Sequence, residues 1–289
     1  MRDLNYSIKQ VCQRNRDGSH ATRSNRERIL SQCATQVREL GFRDARSVQD
    51  LKPKHVHRLV DSWQKQGIST GAIKNRMSAL RWLSDKIGQS DLVKARNEDY
   101  GIENRVYVTN QDKSVDFNSR SIEAINHPSV QASAMLQREF GLRREEAMKF
   151  QPVYADRGDR IVLKASWCKG SLEREIPIIH QSQRDALAHA HKIANTGSLI
   201  PRDKSYVQHL RTFEKQMAKV ELSRTHGARH QYAQERYREL TGRECPARGG
   251  KTSAELDKAE KAQDRDVRLQ ISAEMGHQRE SITAVYIGR

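Results

Sequence analysis

Residues 160–179 read RIVLKASWCKGSLEREIPII, and this stretch decides the fold class of the chain. Its two ends, 160–167 and 173–179, are short runs typical of β-strands, and the Lys-Gly pair between them is typical of a turn. The stretch therefore predicts an antiparallel hairpin. Helical patterns reach about residue 150 and resume from about 181 to 240, which places this small sheet inside a mostly helical domain.

The first hundred residues predict a separate, all-helical bundle, with Ser69 and Thr70 as candidate caps of one helix. The predicted fold is mainly α with a small antiparallel β-sheet, divided into a helical bundle over 1–103, a polar linker over 104–117 and a mixed α+β domain over 118–289. Apolar residues recur at helical spacing along the bundle: Val56, Leu59, Val60, Trp63, Ile73, Met77, Leu80 and Leu83.

The charge of the chain indicates a polyanionic partner. The formal net charge is +16, and residues 1–100 hold 20 Lys and Arg against 11 Asp and Glu. A protein this basic attracts nucleic acid through counterion release and long-range steering. Lys74, Arg76 and Arg81 lie beside an apolar stripe and are candidate DNA-binding residues, although an ordinary solvated helix face explains them equally well.

Several classes of protein are disfavoured by the composition. No apolar run approaches the roughly 18 residues of a membrane span, and the charged N-terminus lacks the apolar core of a secretory signal, so we expect a soluble cytoplasmic protein. The four cysteines are far apart without a C-x-x-C pair, which favours isolated thiols over disulfides or a zinc site.

Residues 243–266 are too polar for a core and predict a surface insertion with one helix-like segment. The GGKTS stretch inside it resembles the end of a phosphate-binding loop, but Cys245 stands where that pattern requires its first glycine. We therefore predict no ATP site.

Four stretches carry residues suited to chemistry on phosphate. FGLRREEAMKF holds Arg143 and Glu146, which would share one face of a helix, and CKGSLEREIPI holds Lys169 at the hairpin tip. A surface ion pair and an ordinary turn lysine are the simpler interpretations of each stretch alone. SRTHGARHQYAQERY places His226 and Arg229 on one side of a helix that would start near Thr225. A guanidinium and an imidazole side by side suit a phosphate, and the alternative is a hydrogen-bonded histidine at a helix start with Arg229 paired to an acidic residue.

The fourth stretch is GHQRESITAVY, in which His277 precedes Tyr286 by nine residues. Nine residues of uninterrupted helix turn through about 900° and would place the two side chains on opposite faces. The chain must therefore bend after Gly276, and Ser281 is a candidate cap for a short helix that returns Tyr286 towards His277. A tyrosine that only fills a groove is the alternative.

Taken in order, these stretches resemble the tyrosine recombinase (phage integrase) family. GLRREE, CKGSLER, HGARH and GHQRESITAVY match its Arg, Lys, His-x-x-Arg and Gly-His…Tyr motifs, and the helical front domain resembles its core-binding domain. The resemblance implies the catalytic set Arg143, Lys169, His226, Arg229, His277 and Tyr286, with Glu146 as a supporting residue.

The resemblance also implies a mechanism. Tyr286 would attack a DNA phosphodiester to form a 3′-phosphotyrosyl link and release a 5′-hydroxyl, without a metal or other cofactor. A site-specific recombinase of this family acts on double-stranded DNA as a homotetramer that holds two synapsed duplexes, in some cases with an accessory DNA-bending or directionality factor. Many recombinases of this family are encoded by a mobile genetic element. The resemblance implies no membrane partner.

Two departures from the family pattern leave alternatives open. The 48 residues between Arg229 and His277 exceed the usual spacing, and the 243–266 insertion, for which a disordered loop is the favoured interpretation, accounts for the excess. The sequence also shows no helix after Tyr286 to exchange between subunits. A type IB topoisomerase shares the phosphotyrosine chemistry, and a noncatalytic DNA-binding regulator on an integrase scaffold would share the fold.

Overall fold

The chain forms two compact units, Met1–Val106 and Tyr107–Arg289. The computed structural model describes residues 3–277 and 279–289. Within these residues, helices make up nearly all of the regular structure, and the sheet has two strands. The predicted fold, mainly α with a small antiparallel sheet, is confirmed.

The N-terminal unit is a bundle of four helices, with α1 packed on α2, and α2 packed on both α3 and α4. Their bounds are α1 Leu4–Arg14, α2 His20–Glu39, α3 Pro53–Lys65 and α4 Thr70–Lys86, with short 3₁₀ turns at Val48–Asp50, Ser90–Leu92 and Glu98–Tyr100. Side-chain oxygens of Asp3, Ser19 and Ser69 cap the first, second and fourth of these helices.

The apolar stripe predicted from the sequence forms the core of this bundle, because all eight of its residues are buried. Trp63 lies at the centre with no exposed surface, and its indole Nε1 donates to Oε1 of Gln36 at 2.9 Å. Burial of this stripe supplies the hydrophobic free energy that holds the four helices together.

The C-terminal unit contains the remaining nine helices of the described chain and the sheet. Its first five helices are α5 Ser119–Glu123, α6 Pro128–Phe140, α7 Arg144–Lys149, α8 Pro152–Ala155 and α9 Gln181–Ala194. The last four are α10 Tyr206–Lys219, α11 His226–Thr241, α12 Lys258–Glu274 and α13 Glu280–Ile287. Two 3₁₀ turns, Ala165–Trp167 and Pro246–Arg248, complete the unit.

The sheet pairs β1 (Arg160–Leu163) with β2 (Arg174–Pro177) in the antiparallel register that opposes Leu163 to Arg174. This confirms the predicted hairpin, although both strands are shorter than the predicted segments. The chain leaves β1 early because Ala165–Trp167 forms a 3₁₀ turn that places the Trp167 ring 5.7 Å from the ring of Tyr154. The connection between the strands is consequently a long loop.

The predicted linker over 104–117 differs from the structure, because residues 107–117 belong to the C-terminal unit. Phe117 is completely buried there. A Cβ added to Gly227 would lie 2.3 Å from Cγ2 of Val115, so the incoming segment lies directly against α11. The segment is polar on average, and this average does not reveal that two apolar side chains, Val115 and Phe117, anchor it to the domain.

The prediction that residues 243–266 form a surface insertion with a disordered loop is also wrong in part. Cys245 has no exposed surface and Leu256 is 4% exposed, so both residues belong to the core. Asp257 and Glu260 form a capping box that starts α12 inside the predicted insertion. A few buried apolar residues, including Cys245 and Leu256, therefore fold this otherwise polar segment onto the domain.

Candidate active site

Arg143 and Glu146 form a compact pair where α7 begins. Arg143 is the N-cap residue of α7, and Glu146 accepts from its backbone nitrogen and from its Nη1, both at 2.7 Å. The pair therefore does not lie along one helix face as predicted; it closes the helix start as a capping box. The Glu146 side chain is buried, whereas 21% of the Arg143 side chain remains exposed and can reach a ligand.

His226 and Arg229 stand in the first turn of α11, whose N-cap is Thr225 as predicted. Arg229 is 1% exposed. Its Nη2 donates to the carbonyl of Met275 at 2.6 Å, and its Nη1 donates to the carbonyl of Gly141. One guanidinium thus ties the end of α6 and the end of α12 to the start of α11.

His277 and Tyr286 meet because the chain reverses after α12. Gly276 has a φ of +68°, and α13 then carries Tyr286 back until its ring centre lies 5.8 Å from that of His277. The predicted bend is confirmed. The predicted cap is wrong, because α13 begins at Glu280 with Arg279 as its N-cap, and Ser281 lies inside the first turn.

The side chains of α11, the turn at His277 and α13 form one cluster. The Tyr286 hydroxyl lies 3.5 Å from Nε2 of His226. Arg229 donates from Nη2 to Nε2 of His277 at 3.3 Å, and its Cζ lies 5.8 Å from the centre of the Tyr286 ring. The nucleophile proposed from the sequence is therefore adjacent to three of its proposed partners.

Lys169 is not part of this cluster. It lies in the exposed β1–β2 connection, and among the described residues it has no hydrogen bond or ion pair. Its backbone neighbour Cys168 is buried and accepts from Nη1 of Arg174 at 3.2 Å. The structure therefore places Lys169 beside an anchored residue, with a side chain open to solvent.

The charges of the site favour an anion. Burial by itself would raise the pKa of Glu146, but hydrogen bonds from Arg174 and the charges of Arg174, Arg229 and Arg143 lower this pKa to about 2. Burial lowers the pKa of Arg229 to about 10, which leaves it charged at neutral pH. Three arginines therefore surround one carboxylate, and the excess positive charge suits a phosphate.

The histidines of the site are neutral at pH 7. Burial, followed by the charges of Arg229, Arg143 and Arg174, lowers the pKa of His277 to about 4. The pKa of His226 is lowered by burial and by the charges of Arg229 and Arg143. Neutral imidazoles can accept a proton from a phenol or donate a hydrogen bond to a phosphate.

Two residues of the site were missed by the sequence reasoning. His230 is 6% exposed and its ring centre lies 4.7 Å from that of Tyr286. Its position four residues after His226, on the same helix face, is the signal that could have found it. Arg174 is buried behind Glu146, and the alternation of β2, which buries residues 174 and 176, is the corresponding signal.

The candidate DNA-binding residues of α4 all have contacts within the N-terminal unit. Lys74 Nζ donates to Asn104 at 3.1 Å, and Arg81 donates to the carbonyl of Lys94 at 3.0 Å and to Asn97 at 2.9 Å. The Arg76 guanidinium lies 4.9 Å from the centre of a Trp63 ring. Each side chain is half-buried, so part of each remains accessible to a ligand.

Two kinds of feature are absent from the described part of the chain. No group of three or more His, Cys, Asp or Glu residues there has an arrangement that could hold a metal ion. None of the helices in residues 3–277 and 279–289 has the length and apolar character needed to cross a bilayer.

Two family models match the sequence. Residues 1–93 match the model described as the N-terminal domain of phage integrase, and residues 108–235 match the model described as integrase. Together they cover the helical bundle and the first part of the C-terminal unit, including Arg143, Lys169, His226 and Arg229. No curated protein sequence matches the chain.

Several solved structures share the fold. The XerH site-specific recombinase in a post-cleavage complex is 15% identical, with a TM-score of 0.60 over 98% of this chain and 80% of that one. The Tn1549 transposon integrase bound to transposon right end DNA is 13% identical, with a TM-score of 0.57 and coverage of 98% and 95%. A lambda integrase tetramer bound to a Holliday junction is 11% identical, with a TM-score of 0.58 and coverage of 96% and 75%.

Proposed function

The chain belongs to the tyrosine recombinase (phage integrase) family, and on this premise we propose that it is a site-specific DNA recombinase that cleaves and rejoins DNA strands. The observation that carries the proposal is the convergence of Tyr286, His226, His277 and Arg229, beside Arg143, in one positively charged cluster. A phenol surrounded by guanidinium and imidazole groups is suited to attack on a phosphodiester.

Tyr286 is the proposed nucleophile. Its oxygen forms a bond to phosphorus, the bond from phosphorus to the 5′-oxygen breaks, and a 3′-phosphotyrosyl link holds the cleaved strand. The 5′-hydroxyl of a second strand then reverses the step and displaces the tyrosine. Because the link conserves the energy of the phosphodiester, the cycle needs neither ATP nor a redox cofactor.

Arg143 and Arg229 are proposed to bind the nonbridging oxygens of the phosphate. Arg229 is fixed by two backbone carbonyls, and Arg143 is fixed by Glu146, so neither must reorganise when negative charge develops in the transition state. Loss of one such preorganised donor typically lowers a rate about 100-fold or more.

The three remaining residues are proposed to move or share protons. His226 lies next to the phenol oxygen and can accept its proton, and His277 lies beside Arg229. Lys169 is the proposed general acid for the leaving 5′-oxygen. Its exposed loop leaves the side chain free to contact DNA bound over the cluster.

A suicide substrate tests this proposal. Double-stranded DNA nicked next to the cleavage position traps the covalent intermediate, and we expect a protein–DNA adduct with the unchanged chain. Tyr286→Phe should abolish the adduct, whereas Tyr154→Phe, which removes a hydroxyl that lies 3.5 Å from a carboxylate oxygen of Glu173, should retain it. Tight DNA binding without any adduct would instead identify a noncatalytic regulator.

A second assay separates recombination from topoisomerase activity. Relaxation of supercoiled DNA without strand exchange between two duplexes would identify a type IB topoisomerase. We propose that exchange occurs on two duplexes held by four copies of this chain, in the cytoplasm and on behalf of a mobile element. The assay also shows whether an accessory DNA-bending or directionality factor is required.

We further propose that the N-terminal unit contributes sequence-independent contacts to the DNA backbone, with Lys74, Arg76 and Arg81 as the first candidates. Each phosphate contact that is lost should reduce the slope of log affinity against log salt concentration by about 0.9. Titrations of the three alanine variants over a range of salt concentrations test each residue. A variant with an unchanged slope has no phosphate contact.

A further inference from the structure

Arg174 is a buried cation that makes four hydrogen bonds near the site, and the proposed chemistry leaves it without a role. It is the first residue of β2, and its side chain is 5% exposed. Its guanidinium contacts three segments of the chain, each of which carries one proposed catalytic residue.

The first contact reaches Arg143 through Glu146. Nη1 and Nη2 of Arg174 donate to the two carboxylate oxygens of Glu146 at 3.0 and 2.7 Å. The same two oxygens accept from the backbone nitrogen and Nη1 of Arg143. Glu146 therefore bridges two arginines, and the orientation of Arg143 depends on a carboxylate that Arg174 holds from behind.

The second contact reaches the turn that carries His277. Nε of Arg174 donates to the carbonyl of Glu274 at 3.0 Å, where α12 ends. Two residues later, a Cβ added to Gly276 would lie 2.9 Å from Cδ of Arg174. The turn before His277 is therefore both hydrogen-bonded to Arg174 and packed against it.

The third contact reaches the loop that carries Lys169. Nη1 of Arg174 also donates to Sγ of Cys168 at 3.2 Å. Burial raises the pKa of the Cys168 thiol, so the sulfur is a neutral and weak acceptor. This contact is the weakest of the three, but it fixes the residue directly before Lys169.

We propose that Arg174 is a positioning residue for strand cleavage: one buried guanidinium fork aligns Arg143 through Glu146, the His277 turn through the carbonyl of Glu274, and the Lys169 loop through Cys168. Arg174 contacts none of the reacting atoms in this arrangement. The inference rests on the proposed recombinase function, because alignment matters only if these three residues act on one phosphate.

The fork geometry is essential to this role. A guanidinium presents five N–H donors in fixed directions, whereas a lysine ammonium is a point charge that cannot bind both oxygens of Glu146 and a distant carbonyl together. Without Arg174, the negative charge of Glu146 is balanced only by Arg229 and Arg143 among the arginines that lower its pKa. Of these two, Arg143 is hydrogen-bonded to the carboxylate and is then drawn away from the phosphate. A misplacement of about 1 Å at a reacting group can lower a rate about 100-fold.

Removal of Arg174 should also introduce a new pH dependence. In the unchanged protein the pKa of Glu146 is about 2, so this carboxylate stays charged in any cleavage assay. Without the hydrogen bonds and charge of Arg174, burial raises the pKa of Glu146. A protonated Glu146 cannot orient Arg143, so cleavage by the variant should fall as the pH is lowered and recover as it is raised.

The test compares Arg174→Gln and Arg174→Lys with Arg160→Gln in the full chain. Arg160 lies on the neighbouring strand, and 44% of its side chain is exposed where it pairs with Glu175 at 2.9 Å. Affinity for the suicide substrate, adduct rate at saturating DNA and the pH profile of that rate are measured for each protein. We expect Arg174→Gln to bind DNA within about threefold of the unchanged protein but to cleave it about 100-fold more slowly at pH 7.

The pH profile distinguishes positioning from general structural damage. A rise in rate that extends to higher pH in Arg174→Gln than in the unchanged protein or Arg160→Gln supports the proposal, as does a partial recovery in Arg174→Lys. An unchanged rate, or a slow rate with an unchanged pH profile, overturns it. If Arg174→Gln does not fold, Arg174→Lys decides by the same criteria. Absence of an adduct from the unchanged protein and from Arg160→Gln would refute the proposed function instead.

Discussion

The phenol oxygen of Tyr286 lies 3.5 Å from Nε2 of His226, so a nucleophile and a proton acceptor are adjacent before any DNA is bound. His226 is exposed at the start of α11, but desolvation of its ring together with the charges of Arg229 and Arg143 lowers the pKa of its imidazole below 6.5. The neutral form therefore persists to lower pH than in an ordinary histidine. It is this form that can accept the phenol proton.

This relationship predicts the pH dependence of cleavage. At limiting protein concentration, the second-order rate of adduct formation reports the free protein, and its acid limb should be centred below pH 6.5. His226→Gln should lower the rate by about 100-fold or more, because general base catalysis contributes that much. An acid limb centred at or above pH 6.5 that disappears in His226→Gln would contradict the assignment.

The docking of α13 predicts that Tyr286 acts within its own protomer. Gln234 donates to the Tyr286 carbonyl at 3.2 Å, and Arg268 donates to the Gly288 carbonyl at 2.7 Å, so the C-terminal end of this segment is held by two helices of the same domain. A mixture of Tyr286→Phe and Arg229→Gln proteins should therefore give no adduct. In such a mixture neither protomer has a complete site.

An adduct formed by the mixture would show that Tyr286 is exchanged between subunits. If Tyr286 were exchanged between subunits, the tyrosine of the Arg229→Gln protein would enter the intact site of the Tyr286→Phe protein and the adduct would appear. Each variant assayed alone is the control. Since both variants are inactive alone under either arrangement, only the mixture distinguishes them.

The sequence predicted the hairpin, the helical bundle and the bend between His277 and Tyr286, because each of these depends on local periodicity, turn residues or helix geometry. It did not predict which groups hold Arg229, since its carbonyl acceptors on Gly141 and Met275 are 88 and 46 residues away along the chain. Backbone acceptors carry no signature in the side-chain pattern. Tertiary packing alone brings them together.

The errors at 104–117 and 243–266 have one common physical cause. Both segments are rich in polar residues, and both are held by a few apolar side chains, such as Phe117, Cys245 and Leu256, that are almost completely buried. The average polarity of a segment does not predict whether it folds onto a domain when only isolated apolar residues anchor it. The role of Arg174 was missed for a related reason, since its partner Glu146 is 28 residues away.

Buried histidines predict a loss of stability in mild acid. Burial is the main cause that lowers the pKa values of His209, His230 and His277 to about 4, from an ordinary value of 6.5. Between these values the unfolded chain binds protons that the folded protein does not, so the free energy of unfolding falls as the pH decreases through this window. The melting temperature should therefore be several degrees lower at pH 5 than at pH 7.

A histidine outside the site provides the check. His209 has no exposed surface, and neither ring nitrogen has a hydrogen-bond partner among residues 3–277 and 279–289. His209→Phe should flatten the dependence of melting temperature on pH without altering cleavage at pH 7. Glu146 contributes little between pH 5 and pH 7, because the loss of stability linked to its pKa of about 2 begins only near its ordinary value of 4.5. Equal melting temperatures at pH 5 and pH 7 in the unchanged protein would rule out this account.

Gly276 predicts a difference between two otherwise similar alanine substitutions. Gly276 has a φ of +68° after α12, and Gly88 has a φ of +69° after α4. Alanine in this left-handed conformation costs roughly 1–2 kcal/mol at either position. A Cβ at Gly88 meets no atom within 4 Å, whereas a Cβ at Gly276 would lie 2.9 Å from Cδ of Arg174. Gly276→Ala must therefore displace either Arg174 or the turn that carries His277.

Both variants should lose stability in thermal unfolding, but only Gly276→Ala should also lose cleavage, by about 10-fold to 100-fold in the adduct rate at saturating DNA. The comparison cancels the cost of the backbone conformation, because the two glycines have the same φ and each follows the last turn of a helix. What remains is the contact with Arg174. Equal adduct rates in the two variants would show that the His277 turn tolerates this contact, and that glycine is needed there for its backbone conformation alone.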